Sequence, residues 1–212
     1  MNHNYIAVEG AIGVGKTSLV EALAARFESA KVLEKIENPF LENFYNDRSG
    51  AAFQAQLFFL LNRYRQLCDL KQKDLFSRMV IADYVLEKDK IFAYLTLTDD
   101  ELLIYDKLFS LLEDQVPRPD MVIYLQAGTQ VLMDRIRKRC RSYEANLSEK
   151  YVAEVNRSYN HYFFHYDATP LLVVDTSEID FVHREDDLEE LIEQIRNMER
   201  GVQYYVPLGS RT

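Results

Sequence analysis

The sequence has little cysteine. Cys68 and Cys140 are the only two in 212 residues. They lie far apart without CxxC spacing, which argues against a thiolate zinc site or a disulfide framework. They read as free thiols in a reducing compartment. Basic charge is also short: 25 lysines and arginines stand against 34 aspartates and glutamates, for a net charge of −9. A duplex-DNA scanner needs a basic footprint, so nucleic acid is not an expected partner. No apolar run reaches the ~18–20 residues that span a bilayer, so no membrane is expected either. The polar start, residues 1–5, carries no secretory signal. No repeat, low-complexity tract or linker interrupts the chain. These absences leave a soluble, cytoplasmic protein, expected as one domain over residues 1–200 with an aperiodic tail at 201–212.

What is present alternates short apolar strands with helices. Residues 5–8 (YIAV), 31–33 (KVL), 79–81 (MVI), 121–125 (MVIYL) and 171–174 (LLVV) read as five strands. Helical spacing runs through 16–27, 53–74, 92–112, 129–141, 147–166 and 188–200. The helix at 92–112 breaks near Thr98-Asp99-Asp100, a cap cluster. The alternation predicts an α/β fold, a parallel sheet of five strands with helices on both faces.

Gly10-Ala11-Ile12-Gly13-Val14-Gly15-Lys16-Thr17 matches GxxxxGK[ST], with a strand before it and a helix after it. The glycines let backbone N–H groups converge on a polyphosphate. The helix N-terminus adds partial positive charge. Lys16 reaches the β- and γ-phosphates, and the Thr17 hydroxyl ligates Mg²⁺. These eight residues are candidates for holding ATP. The N/T-K-x-D guanine motif of GTPase switches is missing, and the chain is short for a motor ATPase. A small-molecule kinase fits, given a mobile basic lid. Arg135, Arg137, Lys138, Arg139 and Arg141 supply one, five cations within seven residues. Arginine offers planar, bidentate donors to a transferring phosphoryl group. Closure of a lid over about 135–147 excludes water.

With these residues in view, the chain resembles the deoxynucleoside kinases, including the deoxycytidine, deoxyguanosine and bacterial deoxyadenosine kinases. The anchors are the phosphate loop, 34–45 (EKIENPFLENFY), 53–66 (FQAQLFFLLNRYRQ), the lid RIRKRCRSYE and DTSEIDF near the end. The lid shows R-x-x-x-R-x-R-x-x-E at Arg135, Arg139, Arg141 and Glu144. The resemblance implies a P-loop kinase fold, ATP and Mg²⁺ as cofactors, a homodimer, and transfer of phosphate to the 5′-hydroxyl of a deoxynucleoside. It implies a purine substrate, deoxyadenosine favoured. Glu34 matches the carboxylate near the 5′-hydroxyl. Tyr45 and Glu144 match the pair that reads the sugar 3′-hydroxyl. Gln56 and Arg63 match the base-reading glutamine and its arginine neighbour. Asp180 and Phe181 match the loop that holds the adenine of ATP. Lys16 and the lid arginines, Arg135 first, are expected to stabilise charge on the transferring group, with Arg139 and Arg141 on the donor nucleotide.

The chain departs from the family after the third strand. An acid–Arg–Ser motif is usual there; this sequence reads Asp83-Tyr84-Val85. The arginine is absent, and Lys88, Lys90 or the lid is left to supply the missing cation. Asp83 is expected in the substrate site, either as a Mg²⁺ ligand beside Thr17 or as the base at the 5′-hydroxyl, a role for which it competes with Glu34. Lys88 or Asp89 stands where the family's base-reading aspartate would be. His161 and His165 have i,i+4 spacing but no evident third ligand, and read as structural. The alternatives are a thymidylate-like nucleoside monophosphate kinase and a non-catalytic P-loop regulator. The first needs extra cations for the acceptor phosphate, and residues 34–47 hold only Lys35.

Overall fold

Strand β1, Tyr5–Gly10, is buried along its whole length. A strand without a polar face must be covered on both sides, and the rest of the fold follows from that demand. The computed structural model describes residues 3–35, 37–45, 50–73, 79–140, 144 and 147–207, without the side chains of residue 45 and residues 71–73. The chain divides into two compact units. The first comprises Met1–Leu33, Arg78–Tyr84 and Pro119–Thr212; the second comprises Glu34–Ser77 and Val85–Arg118.

The first unit is built on a parallel sheet. Its further strands are β2 (Ala30–Val32), β3 (Val80–Ala82), β4 (Met121–Gln126), β5 (Leu171–Asp175) and β6 (Val202–Tyr205). Their order is β2-β3-β1-β4-β5-β6. Every pairing is parallel, with Ile6 opposite both Ile81 and Met121. The sheet therefore has six strands, not the expected five. The sixth comes from the stretch read as an aperiodic tail. Its anchors are polar: Gln203 Nε2 donates to Gln194 Oε1 at 2.9 Å and Tyr205 Oη donates to Glu190 Oε2 at 2.9 Å. A four-residue strand, VQYY, paired along β5, is too short to stand out as a periodic apolar run.

Helices α1 (Lys16–Arg26), α6 (Thr129–Arg139), α7 (Glu149–Phe164) and α8 (Glu185–Asn197) complete this unit, with helices on both faces of the sheet. Gly15 gives α1 no side-chain cap, a deficit of only a few tenths of a kcal/mol for glycine. Burial of Leu19, Val20 and Leu23, at about 1.5–3 kcal/mol each, outweighs it. Tyr124 stacks on Phe163 at 4.2 Å and donates to Asn160 Oδ1 at 2.7 Å, which fixes α7 on β4. His161 and His165 lie exposed at the end of α7 with their rings 4.8 Å apart. No group of three or more His, Cys, Asp or Glu placed to hold a metal occurs among the described residues.

The second unit is helical: α2 (Leu41–Tyr45), α3 (Ala51–Lys73), α4 (Lys88–Thr96) and α5 (Asp99–Glu113). The break between α4 and α5 falls at the expected cap cluster. The Thr98 backbone N–H donates to Glu101 Oε2 at 3.0 Å, one half of a capping box. Gln56, Leu60, Arg63 and Leu67 share the buried face of α3. Polar side chains on a helix's buried face need partners to offset the loss of water. No described helix is long and apolar enough to cross a membrane.

Candidate active site

The first unit builds a phosphate cradle. β1 ends at Gly10 and α1 starts at Lys16, which leaves 11–15 as the loop. Gly13 has φ +86°, and a Cβ there would lie 2.9 Å from the Leu132 carbonyl oxygen. Gly15 has φ +109°, and its Cβ would meet the Phe181 ring at 3.1 Å. Backbone and space both require glycine at Gly13, and the positive φ requires it at Gly15. Lys16 Nζ donates to the loop's own carbonyls, Gly10 O at 2.7 Å and Ala11 O at 3.2 Å. Thr17 Oγ1 donates to Asp83 Oδ2 at 3.0 Å. Asp83 is buried just past β3. A hydroxyl beside a carboxylate is a hard-oxygen donor set, so this pair fits Mg²⁺.

The lid helix α6 is tied down by its arginines. Arg135 Nη1 donates to Val14 O at 3.2 Å and to Thr176 Oγ1 at 2.9 Å, and Nη2 donates to Thr176 O at 2.5 Å. Arg135 therefore links α6 to the phosphate loop and to the loop after β5. Arg139 grips Glu144 with two bonds, Nε to Oε2 at 2.7 Å and Nη2 to Oε1 at 2.5 Å. That pairing satisfies a buried carboxylate. Arg141 lies outside the described residues. Phe181 is buried against Gly15. Asp180 accepts from the Val182 and His183 backbone N–H groups and pairs with the His183 ring. Burial would raise its carboxyl, but these bonds hold it below the usual range.

The second unit holds a buried ionic cluster. Arg63 Nη2 donates to Glu34 Oε1, and Arg63 Nη1 pairs with Asp89. The guanidinium lies over the Phe59 ring, 4.8 Å from its centroid. Lys88 Nζ donates to Glu34 Oε2 at 2.5 Å. Burial alone would raise the Glu34 carboxyl. The charges and hydrogen bonds of Lys88 and Arg63 outweigh it and hold Glu34 well below the ordinary carboxylate range. Gln56 Nε2 donates to Thr96 Oγ1 at 3.1 Å. Gln56 and Arg63 thus face the same way on α3, as their seven-residue spacing requires. The backbone of Tyr45 closes α2; its side chain lies outside the described residues.

The structure thus brings Lys16, Thr17, Asp83, Arg135 and Phe181 around one loop, and Glu34, Gln56 and Arg63 onto one helical face. Sequence reasoning missed two residues. Thr176, fully buried, receives Arg135; it lies inside DTSEIDF, so the segment was flagged though the residue was not. Tyr105 has a buried hydroxyl without a hydrogen-bond partner among the described residues, and burial raises it well above its ordinary value. In the sequence it reads as one more apolar position of α5.

The comparisons with known proteins agree with this geometry. A family model described as deoxynucleoside kinase matches residues 6–199. The chain is 36% identical over 200 residues to the deoxyguanosine kinase of Bacillus subtilis, covering 92% of this chain and 97% of that protein. It is 29% identical over 207 residues to the deoxyadenosine/deoxycytidine kinase of the same organism, covering 92% and 93%. A solved structure of deoxyadenosine kinase from M. mycoides, with the products dCMP and a flexible dCDP bound, superimposes with a TM-score of 0.78 at 26% identity, covering 92% of this chain and 100% of that one. With a phosphate loop, a basic lid and a buried polar helix face in place, the chain belongs to the deoxynucleoside kinase family and is an ATP-dependent deoxynucleoside kinase.

Proposed function

We propose that this kinase transfers phosphate to the 5′-hydroxyl of a purine deoxynucleoside, deoxyguanosine ahead of deoxyadenosine. The observation that carries the reading is the buried polar face of α3, where Gln56, next to Arg63 on the same face, has an amide with a donor and an acceptor suited to a base edge. The order of the two purines rests on the 36% identical relative, a deoxyguanosine kinase. It reverses the preference expected from the sequence.

Residues 10–17 hold the donor phosphates. Lys16 exchanges its loop carbonyls for phosphate oxygens. Thr17 and Asp83 are the residues that would hold Mg²⁺, which supplies neutralisation of phosphate charge. Arg139 and Arg141 serve the donor nucleotide, Asp180 and Phe181 its adenine. Arg135 braces the phosphate loop. Tyr45 and Glu144 read the 3′-hydroxyl. Glu34 accepts the hydrogen bond of the 5′-hydroxyl and orients it. A carboxylate so weakly basic orients better than it deprotonates, and phosphoryl transfer through a loose transition state asks mainly for orientation and charge.

The protein acts as a homodimer. The support is the exposed apolar side of α5, Leu103, Ile104, Leu108 and Leu111, in the second unit. Light scattering at micromolar concentration checks it, and a monomeric mass refutes it.

A coupled ADP-release assay over deoxynucleosides, ribonucleosides and deoxynucleoside monophosphates tests the function. The expected order is deoxyguanosine, deoxyadenosine, then pyrimidines. Turnover of monophosphates in place of nucleosides would move the protein to the monophosphate kinases. A pyrimidine preference would overturn the base assignment alone.

A further inference from the structure

Among the described residues Glu34 pairs with two cations, and they are not equivalent. Arg63 is shared. It pairs with Asp89, which is 0% exposed, and its plane is packed on Phe59. Its charge is already balanced by Asp89. Lys88 has one carboxylate partner among the described residues, Glu34. Two of the other cations weighed for the missing arginine have partners of their own among the described residues. Lys90 lies 3.9 Å from Glu113 and 4.2 Å from the Phe109 ring centroid, and Arg139 grips Glu144. Lys88 is also placed against ordinary helix preferences. It is the first residue of α4 and is buried. A cation in a first turn opposes the helix dipole, and an ammonium resists leaving water.

We propose that Lys88 is the positioning residue for Glu34, taking the place of the arginine absent after β3: its ammonium fixes Oε2 and leaves the carboxylate aimed and anionic for the acceptor hydroxyl. The inference rests on the reading of Glu34 given above. Among the described residues, the charged and titratable groups around Glu34 are Lys88 from α4 and Arg63 from α3, with Asp89 and Tyr105 beyond Arg63.

The test compares Lys88→Met, Lys88→Gln and Lys88→Arg. Two readouts are used: the pH profile of kcat/KM for deoxyguanosine and a carbon-13 titration of the Glu34 carboxyl in the free enzyme. Loss of one opposite charge at contact raises a carboxyl by roughly one to three pH units. In both neutral variants the acidic limb of the profile should move to higher pH than in the wild type, and the Glu34 resonance should titrate higher by the same shift. Lys88→Arg should restore the wild-type profile. A neutral variant whose profile runs parallel to wild type, with Glu34 titrating unchanged, would overturn the proposal. Failure of both neutral variants to fold, while Glu34→Gln folds, would also overturn it by placing Lys88 in the scaffold. Full activity of Glu34→Gln would sink the reading of Glu34 instead, and the carbon-13 titration would still decide the Lys88 contact.

Discussion

Arg63→Met should strand a fully buried charge. Methionine keeps most of the stem volume and removes the guanidinium. Glu34 keeps Lys88, so its share of the loss is small. Asp89 is 0% exposed and has Arg63 as its cation among the described residues. Removing one partner of a buried ion pair costs about 3–5 kcal/mol, because the remaining charge has neither water nor counter-ion. At about 2–4 °C per kcal/mol for a chain of this size, the melting temperature falls by roughly 6–20 °C. Scanning calorimetry at neutral pH reads this directly. Adding Asp89→Asn to the same chain removes the stranded charge and should recover most of the loss, a coupling that independent sites do not show. The reasoning fails if Arg63→Met melts within about 2 °C of wild type, or if the double variant melts no higher than the single one.

Glu34 is held low in the folded state against an ordinary value of 4.5. Its stabilisation is therefore present above about pH 4.5 and drains away as pH falls toward the folded value. The melting deficit of Glu34→Gln should be widest at neutral pH and shrink on acidification; a deficit that widens in acid would reverse the sign. Asp83→Asn should raise the Mg²⁺ concentration for half-maximal rate, whereas Glu34→Gln should lower kcat with little change in Mg²⁺ dependence. The opposite pattern would exchange the two carboxylates. Thr98→Ala removes the capping box of α5 and should lower stability by about 1 kcal/mol in urea titration without altering kcat; no loss would mean that Glu101 alone caps the helix.

β1, β3, β4, β5 and the phosphate loop were legible because each is a local signal: an apolar run rich in β-branched residues, or a fixed glycine spacing. The boundary at Thr98 was legible for the same reason. β6 was not, because its anchors Gln203 and Tyr205 find their partners on α8, and nothing within the strand announces them. The candidate residues were legible by type but not by partner. The sequence names Glu34, Arg63, Lys88 and Asp89. It cannot say that Arg63 divides itself between two carboxylates while Lys88 serves one. Arg135 shows the same limit. Its place in the lid suggested phosphate, whereas its bonds to Val14 and Thr176 depend on the approach of three separate segments.

The sixth strand changes what a shortened chain would do. In β5, residues 171–174 are apolar and buried. With β6 alongside, β5 is an interior strand, and the outer position falls to a short strand that shows Tyr204 to solvent. The match to the family ends at residue 199, before β6 begins. A protein trimmed to that match would keep every phosphate-loop residue and the whole ionic cluster. It would also present Leu171, Leu172, Val173 and Val174 as an open border, with unpaired backbone donors and acceptors ready for another chain. Such a protein would be lost to intermolecular sheet growth with its chemistry intact. The last strand acts as a seal, and its worth lies in colloidal behaviour, where a rate assay on the surviving soluble fraction would not detect it.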